Sequence, residues 1–385
     1  MAISADKKKN LTAVLNGINK KFGASTVSFV KDKDLKIEYL QSPSHEFNAM
    51  LAGGIGVGRI TEFYGENSSG KTSMAIEIIA HNQKANPDFV AGWFETEGSI
   101  DEEILASFGI DMDRLVYWDQ TEVGAEQGLD ILRALIASNE FDLIVCNSVA
   151  GLAPKKEIED DIEKQNVALT ARMMSKLMRV ITGICFKTKT SMIFINQVRT
   201  NVGVMYGDPS TTTGGKSLAF YSTQRIAFRR VKIKAGEPIS EDDGLKVACR
   251  VIKNRLARKN PFTTCEYYAE YGKGINTICE LPGMLEREGI LRRAGAYYYW
   301  EDENGQPLNV GGQECKFKSK AFLVECLTNN TELREKLSEA LNERIMGGVV
   351  KQTSLSEEEI GQIKQLESTL ELEETFEELD FEEAV

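Results

Sequence analysis

The sequence predicts an α/β fold with a mainly parallel central sheet, an N-terminal helix arm and a small α+β C-terminal domain. Three observations lead to this prediction. Strand-like and helical segments alternate from residue 59 to about residue 230. A phosphate-loop motif lies at the first strand-to-helix junction of that region. The composition, 42% hydrophobic and 27% charged among 385 residues, is that of a globular chain.

The first predicted helix covers residues 7–22. Its apolar residues follow the i, i+3, i+4, i+7 spacing and are Leu11, Val14, Leu15, Ile18 and Phe22. Because a helix this short is not stable alone, its apolar stripe must be buried on something. It either packs on the protein's own core or serves as a docking arm for a neighbouring subunit.

The alternating region follows this helix. Its strand-like segments are 59–64, 89–94, 142–146 and 191–195, and its helical segments are 71–83, 124–138 and 168–187. Three later strand-like segments, 225–231, 245–253 and 264–268, have no helices between them. These three predict an antiparallel extension of the sheet.

Residues 280–345 predict a small α+β unit that ends in a charged helix over about 331–345. We expect Gly347 and Gly348 to close that helix. The predicted divisions of the chain are 1–35 (N-terminal arm), 36–275 (α/β core), 276–348 (small α+β C-terminal domain) and 349–385 (acidic flexible tail).

The charge is concentrated at the C-terminus. Residues 356–385 contain twelve acidic residues and one lysine, and so carry −11 of the formal net charge of −12. Such a segment is usually a solvated tail. Alternatively, it could occupy a basic groove until a polyanion displaces it.

The sequence also predicts where the protein works. No apolar segment approaches the ~18–20 residues that span a bilayer, and the N-terminus lacks the apolar stretch of a secretory signal. The seven cysteines include no C-x-x-C pair, so we expect neither a disulfide framework nor a zinc cage. A cytoplasmic protein without a membrane partner is therefore expected.

The phosphate loop is the most specific motif. It reads Gly65-Glu66-Asn67-Ser68-Ser69-Gly70-Lys71-Thr72, with Ser73 following, and matches G-x-x-x-x-G-K-[ST] between a predicted strand and a predicted helix. Its glycines let backbone N–H groups face phosphate oxygens at a helix N-terminus. Lys71 is expected to reach the β- and γ-phosphates of ATP, and the Thr72 hydroxyl to ligate Mg²⁺.

Polar residues follow three other predicted strands, where a parallel sheet places its chemistry. Glu97, in the sequence Glu95-Thr96-Glu97, could polarise an attacking water, although a solvated loop acid is an equal alternative. Asn147 ends the next strand; its amide oxygen can face Mg²⁺ but carries no charge. Gln197 follows the strand at 191–195 and could sense the γ-phosphate.

Residues 198–215 predict a long functional loop, rich in glycine and threonine and containing Arg199 and several apolar residues. Its composition suits a segment that becomes ordered on single-stranded nucleic acid, although an ordinary surface loop is the alternative. The candidate DNA-binding residues of this loop are Arg199, Val202, Gly203, Met205, Tyr206, Thr211, Thr212, Gly214 and Gly215. A second polar segment, 157–166, precedes the helix bearing Arg172 and could line the same path.

Taken together, these residues resemble the bacterial RecA-type recombinases over about residues 5–345. Besides the phosphate loop, the matching segments are 21–23, 154–159, 171–175, 194–199, 203–207, 211–215 and 253–255. The resemblance implies a P-loop ATPase core of RecA type. It also implies a helical filament on DNA with ATP between subunits.

The resemblance also implies roles for individual residues. Glu97 would activate water and Gln197 would sense the γ-phosphate. Residues 157–166 and 198–213 would form two DNA loops, with Val202 wedged between base triplets and Arg172 and Arg199 on the DNA backbone. Lys253 and Arg255 would reach the neighbouring subunit's nucleotide. Asp101 would accept a hydrogen bond from the adenine amino group. Phe22 and Phe220 would lie at the subunit interface.

Two positions depart from the family pattern. Asn147 stands where the family has Asp, so weaker or differently arranged Mg²⁺ coordination is expected. Ile104 stands where an aromatic residue usually stacks on adenine, so base packing would depend on aliphatic contact.

The leading hypothesis is a DNA-dependent ATPase. It would form a filament on single-stranded DNA, pair that strand with homologous double-stranded DNA and exchange strands. One alternative is a hexameric helicase on the same core, although about 50 residues before the phosphate loop leave little room for a collar domain. Another is an ATP-dependent DNA-coating protein with little turnover.

Overall fold

The computed structural model describes residues 3–23, 26–32, 36–159, 169–200, 210–234, 236–257, 260 and 263–353. The predicted acidic tail lies outside these residues. Within them, no helix combines the length and the apolar character needed to cross a bilayer.

The N-terminal helix forms as predicted. It is α1 (Ala5–Phe22), and the Ser4 hydroxyl accepts a hydrogen bond from the Lys7 N–H at its start. Of its apolar stripe, Leu11, Val14 and Phe22 are exposed, so these side chains do not pack on the protein's own core. The elements that follow are β1 (Tyr39–Leu40), α2 (His45–Met50) and β2 (Ile55–Gly56).

The core alternates strands and helices over the next 220 residues or so. They are β3 (Ile60–Gly65), α3 (Lys71–Ala85), β4 (Ala91–Glu95), α4 (Glu102–Ser107), β5 (Leu115–Asp119), α5 (Gln120–Ser138), β6 (Leu143–Asn147), α6 (Lys155–Glu159), α7 (Leu169–Thr188), β7 (Ser191–Thr200), β8 (Ser210–Thr212), α8 (Lys216–Tyr221), β9 (Gln224–Val231), β10 (Gly244–Asn254), β11 (Thr264–Glu270) and β12 (Gly274–Ile275).

The central sheet has the order β5-β4-β6-β7-β3-β9-β10-β11-β12, with β8 paired to β7. Strands β5, β4, β6, β7, β3 and β9 are parallel to one another. Strands β10, β11 and β12 extend the sheet in antiparallel fashion, as predicted. Helix α3 packs on one face of the sheet, and α5 and α7 pack on the other. The apolar runs of the inner strands are therefore covered on both sides.

This topology brings the predicted site residues to one edge. Gly65 at the end of β3 lies opposite Gln197 in β7, and Glu95 at the end of β4 lies opposite Asn147 at the end of β6. The carboxyl ends of the four strands thus meet, as expected for an α/β sheet.

Two expectations about secondary structure are wrong. Strand β7 continues to Thr200 and pairs with β8, so residues 198–200 and 210–212 of the predicted loop 198–215 are strand. The β-branched residues Val198 and Thr200 favour this extension. The last helix also passes through Gly347 and Gly348 to Thr353. Glycine weakens a helix interior by about 1 kcal/mol but does not by itself end it.

The C-terminal unit has its own small sheet, β13-β14-β17, and its own hydrophobic cluster over Leu281–Leu341. Its elements are α9 (Leu281–Arg287), β13 (Arg292–Ala294), β14 (Tyr297–Tyr299), β15 (Asn309–Val310), β16 (Gln313–Glu314), β17 (Lys316–Phe317), α10 (Lys320–Asn329) and α11 (Thr331–Thr353). The domain boundaries themselves stay predictions.

A buried carboxyl group joins this unit to the core. Glu280 is 3% exposed and accepts hydrogen bonds from the Ser44 hydroxyl at 2.5 Å and from the Glu46 N–H at 3.2 Å. Arg287 pairs with the Glu46 carboxylate beside it at 2.8 Å. Burial raises the pKa of Glu280 to about 7, although its hydrogen bonds act in the opposite direction.

Glu280 should therefore make stability depend on pH. Because the folded protein holds this proton more tightly than the unfolded chain, the contribution is full below pH 4.5 and is lost as pH rises toward 7. Glu280→Gln cannot lose a proton, so at pH 8 it should exceed the wild type in free energy of unfolding by on the order of 2–3 kcal/mol. Denaturant titrations at pH 5 and pH 8 measure this, with exposed Glu335→Gln as the control. A difference that is the same at both pH values would contradict the assignment.

Candidate functional site

The phosphate loop connects β3 to α3. Gly70 is the last residue before the helix and has φ +90°, a left-handed conformation that L side chains rarely adopt. A Cβ atom there would lie 2.9 Å from a methyl carbon of Val247. Both conformation and space thus require glycine at this position, which turns the chain so that α3 begins at Lys71.

Lys71 is the buried cation of this loop. Its ammonium donates hydrogen bonds to the carbonyl oxygens of Gly65 at 3.2 Å and Glu66 at 2.6 Å, and to the Ser69 hydroxyl at 3.2 Å. Burial lowers the pKa of Lys71, while the nearby carboxylates of Glu97 and Glu66 act to raise it. The positive charge is therefore held beneath the loop, where a phosphate group would lie.

A cleft of about 400 Å³ opens beside the loop. Eight of the predicted site residues line it: Asn67, Ser68, Lys71, Thr72, Ser73, Glu97, Ile104 and Gln197. Gly65 and Glu66 line a neighbouring cavity of about 790 Å³ instead. The cleft joins a polar end at the phosphate loop to an apolar end at α4, which suits a nucleotide triphosphate with its base.

Asn147 is fully buried beside Thr72 and does not itself line the cleft. Its amide oxygen lies 3.4 Å from the Thr72 hydroxyl, and its amide nitrogen donates to Glu95 at 3.0 Å and to the Ser99 hydroxyl at 3.1 Å. Glu95 is 1% exposed. We did not single out Glu95 from the sequence, because Glu97 occupies the same tripeptide and nothing in the pattern tells the two carboxylates apart.

Glu97 and Gln197 are in direct contact. The Gln197 amide donates to the Glu97 carboxylate at 2.8 Å, and the Ser148 hydroxyl donates to the same oxygen. Glu97 is exposed and lines the cleft, whereas Glu95 is enclosed. This arrangement gives Glu97 a carboxylate that can reach a water molecule in the cleft.

The strand that carries Gln197 leads directly into the predicted DNA loop. Buried Asn196 donates to the Thr213 carbonyl oxygen at 2.9 Å and to Glu62 at 3.0 Å, and Glu62 pairs with Arg225 at 2.5 Å. Asn196 therefore ties the outgoing end of β7 to the returning chain after β8. Gln197 is adjacent to Asn196, so a shift of Gln197 can reach this hairpin through the hydrogen bonds of Asn196.

The structure describes only some of the predicted DNA-binding residues. Val202, Gly203, Met205 and Tyr206 lie outside the described residues, as does 160–166 of the first predicted loop. Arg172 is exposed on α7, while Arg199 lies in β7 and Thr211 and Thr212 in β8.

Gly214 and Gly215 have a packing reason for being glycine. Both have left-handed φ values, +84° and +76°. Added Cβ atoms would lie 2.8 Å from Val149 and 2.9 Å from Ala171. Their contact with DNA stays a prediction.

Lys253, Arg255 and Phe220 form one group away from the cleft. The Lys253 ammonium donates to the carbonyl oxygens of Ala219 and Phe220, both at 2.8 Å, and Arg255 donates to the latter at 3.5 Å. Burial and then the charges of Arg255 and Arg225 lower the pKa of Lys253 to about 8. Phe220 is 66% exposed beside them. None of the three lines this chain's own cleft.

The apolar end of the cleft contains an aromatic residue that the sequence did not reveal. Phe108 lines the cleft together with Ile104 and also lines an adjoining small cavity that Tyr271 borders. Asp101, predicted to contact adenine, does not line the cleft; its carboxylate accepts from the Ile104 N–H at 2.7 Å and so caps α4. Phe108 caps the C-terminal end of α4, four residues after Ile104, and both side chains line the same cleft.

The chain is similar to proteins of one known family over most of its length. The family described as the RecA N-terminal domain matches residues 9–276. "Protein RecA" of Campylobacter fetus subsp. fetus is 37% identical over 359 residues, covering 92% of this chain and 99% of that protein. "Protein RecA" of Lactobacillus johnsonii is 40% identical over 339 residues, covering 87% and 89%. A solved structure titled "Crystal structure of the RadB recombinase" has 18% identity and a TM-score of 0.47, covering 61% of this chain and 98% of its own.

Phe108→Ala should weaken binding of a fluorescent ATP analogue by about tenfold, because the base loses an aromatic contact of roughly 1–1.5 kcal/mol. Affinity for inorganic tripolyphosphate, which has no base, should not change. Fluorescence titration and competition measure the two affinities. Phe186→Ala, which removes an exposed aromatic residue of α7, is the control. Equal losses for both ligands would show that Phe108 only supports the fold.

Proposed function

Because the chain belongs to the RecA family of recombinases, we propose that its cleft binds ATP with Mg²⁺. We further propose that the bound nucleotide controls the protein's affinity for single-stranded DNA. The protein is a DNA-dependent ATPase of recombination and repair. The observation that carries the proposal is the hydrogen bond between Glu97 and Gln197.

The phosphate end of the site combines three kinds of donor. Backbone N–H groups at the start of α3 would face the phosphates, Lys71 would supply the positive charge, and Gly70 would permit the close approach. Such preorganised donors are most effective where water is excluded. They would hold the β- and γ-phosphates of ATP.

The residues present also fit a divalent cation. The Thr72 hydroxyl and the Asn147 amide oxygen face each other, and oxygen atoms are the ligands that Mg²⁺ prefers. The described residues contain no group of three or more His, Cys or acidic side chains, but Mg²⁺ is commonly held by one or two protein groups together with phosphates and water. When bound, Mg²⁺ neutralises phosphate charge.

Hydrolysis needs a base beside the γ-phosphate. The Glu97 carboxylate can accept a proton from a water molecule in the cleft, and Ser148 and Gln197 hold that carboxylate in place. Gln197 would therefore contact both the hydrolytic carboxylate and, through its position in the cleft, the γ-phosphate.

The same contact transmits the nucleotide state to DNA. Gln197 precedes Val198 in β7, and β7 continues into the β7–β8 hairpin that Asn196 ties down. A change in the Glu97–Gln197 pair would shift the hairpin that leads to residues 201–209. These residues, with Arg172 and Arg199, would bind the strand largely through its phosphates, so binding would depend on salt.

The filament supplies the remaining parts of the site. Lys253 and Arg255 lie with exposed Phe220 rather than in their own chain's cleft, which supports their action on a neighbouring subunit's nucleotide. The exposed apolar stripe of α1 supports a role as the arm that joins subunits. On DNA, such a filament would pair the bound strand with homologous duplex and exchange strands.

Lys71→Ala should abolish nucleotide-dependent filament assembly and lower DNA-stimulated phosphate release by about 10²–10³-fold, because the site loses its phosphate cation. Electron microscopy with single-stranded DNA and a non-hydrolysable ATP analogue reports assembly, and a phosphate assay reports turnover. Lys84→Ala removes an exposed lysine from the same helix and should behave as wild type.

Three outcomes would count against this proposal. Normal assembly by Lys71→Ala would refute the nucleotide site. Assembly by the wild type without DNA-stimulated phosphate release would favour the coating protein. Unwinding of a forked duplex without strand exchange would favour the helicase.

A further inference from the structure

Asn147 lies in an unusual electrostatic setting. It is fully buried, and its amide nitrogen donates to Glu95 at 3.0 Å and to Ser99 at 3.1 Å. Its amide oxygen is thereby directed to Thr72. The two ends of the Asn147 amide are not equivalent, because only its oxygen can ligate a cation.

Glu95 determines the orientation of the Asn147 amide. One of its oxygens accepts from the Trp93 indole N–H at 3.0 Å and from Asn147, and the other accepts from the backbone N–H groups of Thr96 at 3.2 Å and Glu97 at 2.8 Å. These four partners are all donors. A carboxylate, which only accepts, satisfies all four; an amide at position 95 would place its own donors against two of them.

We propose that Glu95 is a positioning residue that locks the Asn147 amide with its oxygen toward Thr72 and places a buried carboxylate one hydrogen bond from the amide that would hold a divalent cation. The inference rests on the proposed function, because it assigns a role within the same nucleotide site. The negative charge that an Asp at position 147 would provide is supplied here from the adjoining strand, one hydrogen bond away. Groups behind a ligand often control its orientation and its affinity for the metal.

This arrangement also explains why position 147 is not acidic in this chain. An Asp there would bring a second carboxylate to about 3 Å from buried Glu95, and two such charges repel each other strongly. The network works with one carboxylate and one amide. Exchanging the carboxylate at position 95 and the amide at position 147 should therefore restore the metal affinity and the stability that are lost when only one of them is changed.

The test is a charge-exchange cycle in the full-length protein. Glu95→Gln, Asn147→Asp and the double variant are titrated with Mn²⁺ in the presence of a non-hydrolysable ATP analogue, and the electron paramagnetic resonance signal of free Mn²⁺ gives the affinity. Glu95→Gln should bind Mn²⁺ about tenfold more weakly, because Asn147 must turn its NH₂ toward Thr72 to relieve the clash. In the double variant, the amide introduced at position 95 can donate to the carboxylate introduced at position 147, so affinity should return to the wild-type value or exceed it.

Thermal unfolding without nucleotide or metal gives a second readout. Asn147→Asp alone should unfold at a lower temperature than the wild type, and the double variant should recover most of that loss. Glu103→Gln makes the same chemical change at an exposed position of α4 and should alter neither affinity nor stability. The rescue distinguishes positioning from a loss of structure, since two damaging structural changes would not cancel.

Three results would overturn the inference. Unchanged Mn²⁺ affinity in Glu95→Gln would remove the role of Glu95 and leave the proposed function intact, as would a double variant no better than Glu95→Gln. A wild-type protein that takes up no Mn²⁺ with the nucleotide would overturn both the proposed function and this inference.

Discussion

The hydrogen bond between Glu97 and Gln197 is the contact on which the rest of the site depends. It spans the cleft at 2.8 Å and joins the loop after β4 to strand β7. One partner can activate water, and the other lies on the strand that enters the β7–β8 hairpin. In the proposed function, this single pair of side chains would link chemistry on the nucleotide to the conformation of the hairpin.

The fold provides this pair by means of strand order. Because β3, β4, β6 and β7 are parallel and adjacent, Gly65, Glu95, Asn147 and Gln197 all lie at one edge. Helix α3 begins at the same edge and directs its N-terminal N–H groups there. Burial then separates the two carboxylates: Glu95 is enclosed and orients Asn147, while Glu97 is exposed to the cleft.

The sequence predicted the parts of this site that depend on local pattern. The phosphate loop is recognisable because glycine is required at Gly70, and the alternating segments give the parallel sheet. It did not reveal Phe108, whose place beside Ile104 depends on how α4 packs. Nor did it separate Glu95 from Glu97, which differ only in their neighbours. The extension of β7 was missed because it is stabilised by pairing with β8, whose residues lie 10–14 positions further along the chain.

If Gln197 carries the nucleotide state to the DNA loop, replacing it should remove the effect of the nucleotide on single-stranded DNA affinity. Fluorescence anisotropy at fixed salt gives the ratio of affinities with a non-hydrolysable ATP analogue and with ADP, for the wild type and for Gln197→Ala. We expect a large ratio in the wild type and a ratio near one in the variant, with nucleotide still bound. A variant that binds nucleotide and keeps the wild-type ratio would contradict it.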